Sequence, residues 1–153
     1  MGRKSSRQHQ YHGRQLWESF INAHAAVFNR LEDEIKREAG IELSWFDVLV
    51  HLDWADAGRM NLQDLTNSLL LTQSGVSRLV DRMQTAGLVR KEMSNADRRA
   101  VLVSLTPAGR AAFRRAYRVH LRGIEEHFVQ HVTADEAASM TKALRNVLQA
   151  AGE

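Results

Sequence analysis

Two stretches of the chain hold residues whose types and spacing suit contact with a nucleic acid. The first is Thr72-Gln73-Ser74-Gly75-Val76-Ser77-Arg78. Gln and Arg side chains make paired hydrogen bonds to the edges of adenine and guanine, and Ser reaches bases or phosphates. Gly75 lets a backbone approach DNA with no side chain in the way, and the start of a helix favours a phosphate. Arg82, one turn on, has two options, a phosphate or a pair with Asp81. The plainer alternative is helix-start chemistry for Gln73 and Ser74 and a solvated surface arginine for Arg78. The second stretch runs from Arg90 and Lys91 through Asn95 to Asp97-Arg98-Arg99. An arginine at the tip of a β-ribbon can enter the minor groove, where narrow A·T-rich tracts concentrate negative potential. Phosphate would repel Asp97. Two residues before Arg99, however, it is placed to hold that guanidinium in one bidentate geometry. As a mere surface ion pair the two would contribute under about 1 kcal/mol. Arg98 is an auxiliary cation.

No comparable grouping suggests catalysis. The sequence holds no phosphate loop, zinc-protease motif or nucleophile elbow, so an enzyme is not expected. It has no cysteine, which excludes disulfides and thiolate metal sites. His127 and His131 stand four apart, with His120 upstream, and such a pair can share a metal. Glu125 and Glu126 point to other faces, so no metal or other cofactor is expected. A regulator that senses metal through these histidines stays as an alternative.

Charge agrees with the first reading. Residues 72–118 carry ten Lys/Arg against three Asp/Glu, while the rest carries eleven against fifteen. A basic segment in an otherwise acidic chain suggests one face for a polyanion. No apolar run approaches the roughly 18 residues that span a bilayer. The opening MGRKSSRQHQYHGR lacks an apolar signal core. A cytoplasmic, globular protein with no membrane contact is expected.

The elements that must position these residues follow from periodicity. Leu16, Trp17, Phe20, Ile21, Val27, Phe28, Leu31 and Ile35 mark one face of a long helix closed at Gly40, after a mobile first dozen residues. Ser44 with Asp47 is the expected start of a second helix, and Asn61 with Asp64 of a short third. Thr72 caps a fourth, with Val76, Leu79, Val80 and Met83 inward and Gly87 at its end. Leu88–Glu92 and Val101–Leu105 have strand character and flank a polar loop. Thr106-Pro107 restarts a helix with proline at its first position. Thr133 with Glu136 starts the last helix.

A short helix pair followed at once by a hairpin is the layout of a winged helix-turn-helix. The segment Asp97-Arg98-Arg99-Ala100-Val101-Leu102-Val103-Ser104-Leu105-Thr106-Pro107-Ala108-Gly109 resembles the pattern D-x-R-x-x-x-V-x-L-T-x-x-G of MarR-type regulators. NLQDLTNSLLLTQSGVSRLVDRMQTAGLVRK is similar to their helix-turn-helix. The expected fold is therefore mainly α (α+β). A winged lobe spans about 44–106 of a single domain 1–153, with dimerisation helices at about 12–39 and 107–150.

The resemblance implies a homodimeric regulator of duplex DNA, usually a repressor on an inverted-repeat, pseudo-palindromic operator. Arg99 would be its wing arginine and Asp97 the partner. It also implies a small aromatic effector between the helical region and the winged lobe, with Trp17, His24, Trp45, Phe46 and Asp47 as candidates. Aromatics at helical spacing are more often plain core. The competing class is a winged-helix module for protein contact, against which the basic segment and the polar start of the fourth helix both argue.

Overall fold

The computed structural model describes residues 2–69, 72–93 and 100–152, with side chains from residue 13 onward. Among the described residues, six α-helices and three strands follow one another as α1 (Gly2–Glu34), α2 (Leu43–Trp54), β1 (Arg59–Asn61), α3 (Leu62–Ser68), α4 (Gln73–Thr85), β2 (Val89–Met93), β3 (Val101–Leu105), α5 (Pro107–His127) and α6 (Ala134–Ala151). The first helix begins at Gly2, ten residues or so before the expected start. It runs into one π-helical stretch, Ile35–Ala39, and stops at Gly40, whose φ of 72° is left-handed and suits glycine.

Contacts divide the chain into two compact units, residues 31–121 and a second made of 1–30 with 122–153. The first is the winged lobe. Its core gathers Ile35, Phe46, Leu49 and Leu52 with Leu65, Val76, Val80, Met83, Val89, Val103 and Ala116. The sheet is antiparallel in the order β1-β3-β2. Strand β1 is not among the sequence expectations. Arg59-Met60-Asn61 has no strand pattern of its own and is held by pairing with Ser104, Val103 and Leu102.

Most helix starts follow local chemistry. The Asn61 side chain accepts a hydrogen bond from the Gln63 N–H at 2.9 Å, and Thr72 Oγ1 accepts from the Gly75 N–H at 3.2 Å. Thr133 and Glu136 form a reciprocal capping box, which holds the Glu136 carboxyl below its usual range through the Thr133 hydroxyl and N–H. The second helix differs from expectation. Its cap position is Glu42, not Ser44, and no side chain caps it. Ser44 lies inside the first turn, and its hydroxyl faces Glu42 at 3.5 Å.

The sequence motif has a packing role. Val103 is wholly buried in β3. Thr106 Oγ1 accepts from the Gly109 N–H at 3.0 Å and lies 2.7 Å and 3.0 Å from the carbonyl oxygens of Gly87 and Leu88, to which it donates. A Cβ on Gly109 would lie 2.0 Å from the Leu88 carbonyl oxygen, so only glycine lets α5 start this close to β2.

Residues 1–30 and 122–153 make up the second unit. On α1, the rings of Trp17, Phe20, His24 and Phe28 form a row, with successive centroids 6.2, 6.5 and 5.6 Å apart. Leu16, Trp17, Phe20, Ile21 and Phe28 are all exposed, as are Met140, Leu144, Val147 and Leu148 of α6. Among the described residues, no helix is long and apolar enough to cross a membrane.

Candidate nucleic-acid interface

Helix α4 has two unlike sides. Val76, Leu79, Val80 and Met83 are buried, which turns Ser74 and Arg78 outward near the N-terminus. Thr72, Gln73, Ser74 and Arg78 are exposed, and Gly75 and Ser77 are half-buried. Arg78 has no ion pair among the described residues, so its guanidinium is available for a partner from outside.

The other cations are placed differently. Arg82 does not pair with Asp81. Its Nη2 donates to Glu42 Oε1 at 2.7 Å, and its guanidinium carbon stands 5.6 Å from the centre of the Trp45 ring. Asp81 instead accepts from Lys91 Nζ at 2.6 Å. The pairing register explains why. Lys91 lies opposite Val103, on the side of the sheet that faces the core, and its side chain is only 23% exposed. Arg90, on the opposite side, is exposed with Glu92 at 3.5 Å. Asn95, Asp97, Arg98 and Arg99 lie outside the described residues. Sequence reasoning missed the Arg82–Glu42 pair because its partners are 40 positions apart.

The expected effector residues fall in both units, Trp17 and His24 in one and Trp45, Phe46 and Asp47 in the other. Phe46 is 2% exposed, with the Phe113 ring at 6.1 Å and His120 at 4.9 Å, and belongs to the core. Trp45 is half-buried, and its indole N–H is shielded from solvent with no acceptor among the described residues. Asp47 is exposed by surface area, yet surrounding protein raises its carboxyl above the usual range, with His51 acting in the opposite direction. The histidine pair does not sit on one helix turn. Helix α5 ends at His127, and His131 belongs to the separate 3-10 turn Val129–His131.

A short helix pair, an outward polar face at the start of its second helix and a three-stranded antiparallel sheet define a winged helix-turn-helix. Residues 39–100 match the model of the MarR family. The matched stretch lies within the winged lobe, residues 31–121. Over 91 residues the chain is 28% identical to the HTH-type transcriptional regulator SarU of Staphylococcus aureus, a match covering 60% of this chain and 36% of that protein. The chain thus spans well under half of SarU. It is 27% identical over 120 residues to the multiple antibiotic resistance protein MarR of Escherichia coli, covering 78% and 82% of the two chains. A MarR-family regulator from Streptomyces coelicolor, solved in complex with DNA, is similar with a TM-score of 0.83 at 25% identity over 90% of this chain and 86% of that one. AbsC from the same organism shares the fold, with a TM-score of 0.85 at 24% identity over 92% and 95%.

Proposed function

We propose that the chain is a cytoplasmic, sequence-specific regulator that binds duplex DNA as a homodimer and represses by covering a promoter. The observation that carries this reading is the outward start of α4. It combines a capped N-terminus at Thr72, exposed Gln73 and Ser74, and an Arg78 with no ion pair among the described residues, all on the side of α4 away from the core. Such a helix end offers donors for base edges and phosphates at one place. Arg99 is the proposed minor-groove arginine, and Asp97 its proposed partner. The S. coelicolor relative solved in complex with DNA supports the assignment.

The exposed apolar rows of α1 and α6 support the dimer. Large apolar faces of this kind mark surfaces that another chain covers. Two such lobes would set their α4 helices about 34 Å apart, one turn of DNA, which requires an inverted repeat. A planar aromatic effector belongs to the same reading, with Trp45 and Asp47 of the winged lobe as the residues to examine. The Trp45 indole N–H, without an acceptor among the described residues, is the group that favours it. Such a ligand acts through unequal affinity for DNA-compatible and incompatible arrangements.

The test is a titration against random-sequence duplex between about 50 and 200 mM salt, where phosphate contacts make affinity fall steeply. A salt-independent response would overturn the reading in favour of a protein-contact module. Selection of bound genomic fragments then supplies the operator, and the symmetry of the recovered sites tests the dimer.

A further inference from the structure

Glu42 is an acidic group held against the helix that we assign to DNA. Its position is fixed from both ends. The backbone carbonyl accepts the N–H groups of Trp45 and Phe46 at 3.0 and 3.1 Å, tying it to the start of α2, and its carboxylate takes the Arg82 guanidinium at 2.7 Å. The Trp45 ring and the Ser44 hydroxyl complete the surroundings. Arg82 and Glu42 keep 56% and 45% of their side-chain surface exposed, so the pair adds little to stability. Its effect is on where a charge is available. Arg78 and Arg82 are one helical turn apart on α4, the first without an ion pair among the described residues and the second satisfied.

We infer that Glu42 is a specificity-determining residue, which withholds Arg82 from the DNA backbone. The inference rests on the DNA-binding reading above. Every phosphate that a protein neutralises adds affinity for all sequences alike. Discrimination is the ratio of specific to general binding, and an extra backbone cation raises the general part. By holding Arg82 to α2, Glu42 leaves the sequence-reading groups of the first two turns to decide the outcome. Glu42 acts through Arg82 and is a positioning residue with no DNA contact of its own.

The test measures the salt slope of binding to a mixed-sequence duplex of about 30 base pairs for four variants beside the parent chain. Glu42→Gln frees Arg82 and is expected to steepen the slope by about 1 per bound subunit. Arg82→Gln is expected to leave it unchanged, because Arg82 makes no phosphate contact in the parent. The double variant is expected to return to the parent slope. Asp135→Asn, an equal charge change in the first turn of α6, is expected to have no effect. A flatter slope for Arg82→Gln would show that Arg82 already contacts phosphate and would overturn the inference. An unchanged slope for Glu42→Gln, or equal steepening by Asp135→Asn, would overturn it too. Failure of the parent chain to bind DNA would remove the functional reading itself.

Discussion

Arg78 and Arg99 are assigned different jobs, and their removal should read differently. Arg78→Ala is expected to reduce discrimination between operator and random duplex by about 1–3 kcal/mol, the worth of a lost base contact. Equal losses on both DNAs, measured by competition binding, would make Arg78 a backbone contact. Arg99→Ala is expected to weaken operator binding while the dimer persists; unchanged affinity would remove the wing from the mechanism. His120 is a separate case. Its Nδ1 is buried against Phe46 without a hydrogen-bond partner among the described residues, and burial lowers its pKa from the ordinary 6.5. Below that value the unfolded chain takes up a proton that the folded lobe resists, so stability falls as pH drops from about 6.5 toward the lowered folded value. His120→Phe is expected to flatten that dependence in denaturant melts between about pH 7 and 5. An unaltered profile would assign the acid sensitivity to other groups.

At the scale of elements, what could be read in the sequence was what local chemistry decides. Asn61, Thr72, Thr133 and Pro107 announce helix starts because each side chain or ring acts within its own turn. Strand β1 could not be read this way, since its three residues are extended only because β3 supplies the partners. The same limit hid the pairing of Arg82 with Glu42 and of Lys91 with Asp81, which depends on packing between elements. The second helix shows a local signal overridden, with Ser44 drawn inside the turn while Glu42 serves Arg82. Gly109 gives the sharpest element-level test. Gly109→Ala would force a Cβ onto the Leu88 carbonyl oxygen, and a cost of about 1–3 kcal/mol is expected in thermal or denaturant unfolding. A neutral result would mean that α5 can shift away from β2 without loss.

For the whole molecule, the exposed apolar rows matter most. Leu144→Glu on α6 is expected to convert a dimer into monomers by light scattering and to cost the affinity that comes from binding two half-sites. A dimer of unchanged stability would move the subunit contact off α6. The long helices and the winged lobe were legible from periodicity because their apolar spacing is regular. Which apolar faces are covered within one chain and which stay open was not, because the same 3.6-residue pattern serves both.

The Thr106 hydroxyl has a mechanical consequence. One side chain joins the turn after α4, the start of β2 and the first turn of α5. The wing is therefore a beam clamped at its base. A displacement at the start of α5 would reach the end of α4 and the base of β2 together, with little slack at the joint to absorb it.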